Sequence, residues 1–196
     1  MKPSPTVALA PLLAGCLIVG LALSSCSAAG PQGRERLQPY RQALAATSPP
    51  GTGLSLAQAR ERFASFYADF TPEAVRGRGP EVFAPDAYLN DQIHELHGVA
   101  AITDYLARQA EAFKEASFVV EDAAESRGEF YFRWQMTFRL AGSEDKPEVA
   151  AIGVSHVRFD EQGRIAFQVD YWDTASSVYE RLPVVGGMLR WVKKQF

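Results

Sequence analysis

The stretch 88-YLNDQIHELHG-98 places one aspartate, one glutamate and two histidines within eleven residues. Those side chains can hold a metal or move a proton, and spacing separates the two. A helical zinc motif needs histidines four apart around a glutamate base. Here the order is His94-Glu95-Leu96-His97, in a segment that reads as loop, with Glu95 next to His94 in sequence rather than across a shared face. A metal site also needs a third ligand, so no metal and no cofactor is expected. A histidine at a pocket mouth is better suited to proton transfer. Asp91 carries more promise: beside an apolar cavity its carboxyl would gain the raised pKa of a useful base. The plainer alternative is a strand-end carboxylate that caps a turn or meets water.

The elements that must position these residues can be read from periodicity. From Leu54 onward, Leu56, Phe63, Phe66, Tyr67 and Phe70 fall at helical spacing. Thr71-Pro72 begins a second short helix, which 77-GRGP-80 is expected to break. Ala87–Asp91 reads as a short strand, and Gly98 opens a longer helix whose stripe is Ile102, Tyr105, Leu106, Gln109 and Phe113. Strands follow at Ala116–Glu121, at Phe130–Leu140, where apolar residues alternate with polar ones, at Val149–Phe159, and at Arg164–Trp172 after the turn 160-DEQG-163. Helices first and a meandering antiparallel sheet afterwards argue for an α+β fold with helices on one sheet face. The tail 174–196 reads as helix in two pieces, interrupted by Pro183 and 186-GG-187. Its stripe of Met188, Leu189, Val192 and Phe196 is expected to dock on the domain with Arg190, Lys193 and Lys194 as a solvated edge; contact with anionic lipid is the other use of such a composition.

The first residues form a separate region. Lys2 precedes an apolar run, Val7–Leu23, which ends in 23-LSSC-26, the layout of an export signal. The last four residues resemble a bacterial lipobox, with Cys26 as the lipidated residue. The competing match at 13-LAGC-16 would leave Leu17–Leu23 as an exposed apolar tail, so Cys26 is preferred over Cys16. The expected organisation is a signal at 1–25, a lipidated cysteine and tether at 26–53, and one domain at 54–196. The protein would be held at the bacterial cell envelope facing the periplasm, with the choice between inner and outer membrane open. Both cysteines of the chain lie in the signal region, so the domain holds neither a disulfide nor a thiol nucleophile. A net charge of −3 gives no reason to expect nucleic acid as a partner. There is no glycine-rich phosphate loop and no G-x-S-x-G, which argues against nucleotide and serine hydrolysis.

The succession of helix, short helix, a strand ending at Asp91, the helix opened by Gly98-x-x-Ala101-Ile102 and a curved sheet resembles the nuclear transport factor 2-like superfamily, in its SnoaL-like and ketosteroid-isomerase-like branches. The segments 167-FQVDYWD-173 and 178-VYERLPVVGGMLRW-191 resemble a bacterial group of such domains. The resemblance implies a cone-shaped fold in which helices lean on a bent sheet, plus a C-terminal helix, around a largely apolar cavity, often in a homodimer. It also implies a mechanism: in ketosteroid isomerases an aspartate near this strand end moves a proton beside a carbonyl, while a tyrosine and a protonated acid hold the oxyanion. Carried over, the base falls at Asp91 and the tyrosine at Tyr67. The acid falls at Ser155, which can donate one hydrogen bond but is no acidic donor, a departure that weighs against an isomerase of that kind.

Parity on the strands sets the remaining candidates. Ser155 and His156 face opposite ways, so an inward Ser155 makes His156 structural or interfacial. Asp170 and Trp172 share one face; an inward Asp170 beside Asp91 would restore acid–base chemistry. Asp173 is the natural N-cap of the next helix. A guest would meet Tyr67, Trp134, Ser155, Asp170 and Trp172. Three functions are therefore in play: binding of a small apolar molecule, an isomerase, cyclase or hydrolase with Asp91 as base, and an interaction domain without a ligand.

Overall fold

The computed structural model describes residues 35, 37–47, 53–142, 148–181 and 185–195. The expected signal, both cysteines and part of the tether lie outside these residues. The chain divides into two compact units, Met1–Gln42 and Ala43–Phe196. Among the described residues the first contributes little more than the start of helix α1 (Gln38–Ala46).

In the second unit, Ser55 and Gln58 form a capping box that starts α2 (Leu56–Ala68): each side chain accepts a hydrogen bond from the other's backbone N–H. Thr71 caps α3 (Pro72–Val82), with Pro72 in the first turn. The expected break at 77-GRGP-80 does not occur; α3 runs through Pro80. Packing accounts for this. A Cβ on Gly79 would lie 2.4 Å from Thr103 Oγ1, so glycine lets α3 cross close to α4 (Val99–Ala112), and that contact outweighs poor helix propensity.

Six strands follow or intervene: β1 (Phe83–Asn90), β2 (Glu95–His97), β3 (Phe113–Ser126), β4 (Glu129–Leu140), β5 (Val149–Phe159) and β6 (Ile165–Trp172). They form one curved sheet in the order β2-β1-β6-β5-β4-β3. The sheet is mixed rather than purely antiparallel, because β1 pairs with β6 in parallel. That pair joins the first strand to the last, which a reading by neighbours along the chain does not reach. Part of the segment expected as loop, Glu95–His97, is a short edge strand paired with Tyr88–Asn90. Register shifts in β3 between Phe113 and Glu115 and between Val120 and Asp122 mark irregularities of the kind that bend a strand. Phe113, expected as the last turn of α4, is the first residue of β3.

Helices α2, α3 and α4 cover one face of the sheet. Phe63 of α2 stacks on Phe132 of β4, with centroids 4.6 Å apart, and Phe66 meets Phe83 edge-on. On the other face, buried His156 lies 2.8 Å from Glu129, which also pairs with Arg158; Arg158 in turn donates to the carbonyls of Leu44 and Thr47 at 2.7 and 3.2 Å. His156 is thus part of a structural ion cluster. After β6, Asp173 caps α5 (Thr174–Ser177) by accepting from Ser176 N. A 3₁₀ turn (Tyr179–Arg181) and α6 (Val185–Lys193) complete the described chain. Gly186 and Gly187 lie inside α6 rather than interrupting it.

Candidate functional site

Between the helices and the sheet lies a cavity of about 470 Å³. Phe63 and Tyr67 of α2, with Phe70 just beyond it, form one wall and Phe118, Trp134 and Phe138 of the sheet another, the mainly apolar lining typical of small-molecule sites. All the sequence candidates of the domain reach it: Tyr67, Asp91, Trp134, Ser155, Asp170 and Trp172. The polar groups among them fall into two hydrogen-bonded sets.

The first set is built on Asp91, which stands just past the end of β1 and is buried. Its Oδ1 accepts from the backbone N–H groups of Ile93 and His94, at 2.9 and 2.7 Å, and so caps the turn to β2. Its Oδ2 accepts from the Tyr105 hydroxyl at 2.5 Å and from Gln109 Nε2 at 3.3 Å. Trp172 Nε1 donates to the Asp91 carbonyl at 2.7 Å, tying the strand end to β6. Asp91 thus combines both sequence readings: it caps a turn and it lines the cavity. Its tyrosine is Tyr105 of α4, not Tyr67. Tyr105 also accepts from Gln109 Nε2 at 2.6 Å and lies 3.0 Å from His94 Nδ1. With its one proton donated to Asp91, the phenol can only accept from His94, which requires the proton on Nδ1. Burial, reinforced by the hydrogen bond to Asp91 and its charge, pushes the Tyr105 phenol far above its ordinary value. His97 is exposed, 3.6 Å from Glu95 and edge-on to Tyr88. Among the described residues no three His, Cys, Asp or Glu side chains are grouped to hold a metal.

The second set is centred on Asp170 of β6. Ser155, directly opposite on β5, donates from Oγ to Asp170 Oδ1 at 2.6 Å. Gln168, two residues back on the same strand face, places Nε2 at 2.9 and 3.1 Å from the two carboxyl oxygens. The same amide nitrogen lies 2.8 Å from the Tyr67 hydroxyl, which is where Tyr67 is engaged. Trp134 Nε1 donates to Ser155 Oγ at 2.9 Å. Burial pushes the Asp170 carboxyl up to about 7; the bonds from Ser155 and Gln168 pull it down, and the Asp91 charge adds to the rise. An acid at that value holds and releases its proton near neutral pH, which is what a general acid or base requires. The serine at the position where the resemblance called for an acid is therefore a partner to an acid one strand further on.

Local sequence explains how Trp134 reaches Ser155. Its cross-strand neighbour is Gly153, where a Cβ would lie 2.4 Å from the indole. Only glycine lets the ring lie flat across β5 toward the serine. Gly153→Ala is expected to shift the indole, break the Trp134–Ser155 bond and lower stability by about 1–3 kcal/mol; denaturant unfolding together with a changed tryptophan emission spectrum would check it.

Tyr105, Gln109 and Gln168 are the members that sequence reasoning passed over. Tyr105 and Gln109 stand four apart on the inward stripe of α4, where they read as packing. Gln168 shares the parity of Asp170, and that was the available signal for it.

The chain matches the family model of the SnoaL-like domain over residues 60–168, more than half its length, and belongs to that family. No curated protein matches it significantly. Among solved structures, it is similar to a protein of ketosteroid isomerase-like fold from Catenulispora acidiphila bound to trimethylamine. That match has TM-score 0.54 and 15% identity, and covers 63% of this chain and 92% of the other. A candidate SnoaL-like polyketide cyclase from Shewanella putrefaciens matches with TM-score 0.51 and 18% identity, covering 62% and 96%. Another from Jannaschia matches with TM-score 0.53 and 14% identity, covering 64% and 94%. At such identities the likeness is one of fold.

Proposed function

We propose that the domain takes up a small, mainly apolar molecule bearing one polar group, and that lipid on Cys26 holds it at the cell envelope, facing the periplasm. The observation that carries the first part is a 470 Å³ cavity with aromatic walls whose polar lining is the Asp91 and Asp170 sets together with Arg139 and Ser177. Apolar burial supplies affinity in such a site, and the few polar groups orient the guest. The trimethylamine held by one structural relative and the cyclase assignment of two others accord with a small-molecule role. Proton transfer on the guest is the second reading. It is favoured by Asp170, whose carboxyl titrates near 7, in the same cavity as Asp91. A carbonyl compound would meet a protonated donor at Asp170 and a proton acceptor at Asp91.

Native mass spectrometry of the full chain purified from membranes tests both parts. The expected spectrum shows a lipid mass increment that Cys26→Ala abolishes and Cys16→Ala does not. It also shows a second, non-covalent increment of a few hundred daltons, the size such a cavity admits. Asp170→Asn keeps that second increment if the domain only binds; under proton transfer it accumulates unconverted guest instead. Protein free of any guest across extracts and candidate apolar compounds would remove the binding reading.

A further inference from the structure

Helix α6 is built the wrong way round for a helix docked on its own domain. Its inward side is polar: Gly186 is buried, and a Cβ there would lie 2.0 Å from the Glu180 carbonyl oxygen. Arg190 Nη1 donates to that same carbonyl at 2.9 Å, and Lys193 Nζ reaches the Glu180 carboxylate and, at 2.6 Å, Ser176 Oγ. Its outward side is apolar. Met188 and Trp191 are 60% and 62% exposed, and Val185 and Val192 37% each. At 100° per residue these four share one arc of the helix. The docking expected from the sequence therefore happens through the other face.

Charge identifies what the outward face would meet. The chain as a whole is acidic, at −3, yet residues 181–196 contain four basic residues and no acidic one. Glu180, the nearest acid, is already held by Lys193. Cations near the end of a helix also suit its dipole, but that does not account for an outward tryptophan and methionine beside them. We propose that α6 is a membrane-surface helix, which lays Val185, Met188, Trp191 and Val192 into the boundary of an anionic bilayer while Lys194, just past its end, meets the headgroups. An apolar face with tryptophan and a basic flank is the composition that lies in such an interface. Each basic residue near an anionic surface adds attraction that falls off with salt. A second copy of the chain fits the same face poorly, because pairing it with itself brings one basic flank against another. Ser177 and Val178 line the cavity and are separated from α6 in sequence only by 179–184, so a helix on lipid would keep that wall near a source of apolar guests. The inference holds whether or not the cavity binds one.

The test uses the full chain with Cys16→Ser, Cys26→Ser and Met188→Cys, which leaves one thiol, on the exposed arc, for an environment-sensitive dye. On vesicles of phosphatidylcholine with one-third phosphatidylglycerol the emission is expected to shift to the blue, and high salt to reverse the shift. Adding Lys194→Glu is expected to weaken the partition about tenfold. Lys194 takes no part in the Lys193–Glu180 pair or the Arg190–Glu180 bond, and unchanged circular dichroism would show the fold intact. The N-terminal apolar run is the same in all variants and does not carry the dye. No shift on anionic vesicles, an equal shift on pure phosphatidylcholine, or a shift that grows with protein concentration in the absence of lipid would each overturn the proposal, the last in favour of self-association.

Discussion

Asp170→Asn is expected to make the protein more stable at pH 8 and less stable, by about 1–2 kcal/mol, at pH 4. The folded carboxyl keeps its proton up to about pH 7, whereas the ordinary aspartate value is 3.8. Between those values the native state binds more protons than the unfolded chain, so stability falls as pH rises, and the whole penalty is present above pH 7. A rise from 3.8 to about 7 corresponds to about 4 kcal/mol. Asparagine does not titrate and resembles the protonated acid in shape, so it escapes that penalty. Its amide nitrogen, however, would face the Gln168 amide that now donates to both carboxyl oxygens. This mismatch takes back about 1–3 kcal/mol. The net expectation is roughly 2 kcal/mol at pH 8, or about 4–8 °C in Tm for a chain of this size. Thermal unfolding of both proteins from pH 4 to pH 9 would show the two curves crossing between pH 4 and pH 8. Curves that stay parallel would mean that Asp170 is ionised throughout and is no neutral donor in the cavity.

The second large effect has the opposite sign. Asp91→Ala is expected to destabilise the protein by about 3 kcal/mol or more. It would strand two backbone N–H groups, of Ile93 and His94, together with the Tyr105 hydroxyl and one Gln109 donor. A buried donor left without a partner costs about 1–3 kcal/mol, and only some of these four can turn to water. Asp91→Asn keeps an acceptor for the turn and should lose less, about 1–2 kcal/mol, because its amide can donate to a rotated Tyr105 hydroxyl while opposing Gln109. The contrast between the two variants, read by urea denaturation, separates the structural duty of Asp91 from any chemical one. Asn also removes the proton acceptor, so it is the variant in which to look for lost turnover with the fold retained. If Ala and Asn behaved alike, the turn-capping bonds would contribute little and the carboxylate would be held for another purpose.

Several of these groups could be found in the sequence, and the reason others could not is physical. A strand's period of two fixed which residues share a face, so Ser155 opposed His156 and Asp170 went with Trp172; the structure puts Trp134, Ser155, Asp170 and Trp172 on the cavity side and His156 on the other with Glu129 and Arg158. Asp173 as a cap followed from one residue type at one helix start. Pairings between distant segments did not follow. Gln168, Tyr67 and Asp170 meet because the Tyr67 side chain reaches from α2 to β6, and Tyr105 meets Asp91 because α4 folds back over the end of β1. The helix through 77-GRGP-80 survives because Gly79 lets it pack on Thr103, a contact no local propensity contains.

By itself the sequence determined the α+β class, which residues share a strand face and the set of side chains available to a cavity, because these depend on periodicity within single segments. Only the tertiary structure decided which of them hydrogen-bond, which carboxyl is desolvated enough to hold a proton near neutral pH, that the first and last strands lie parallel, and that α6 turns its apolar side outward. Those are properties of residues brought together from far along the chain, and burial and pairing do not exist until the layers close.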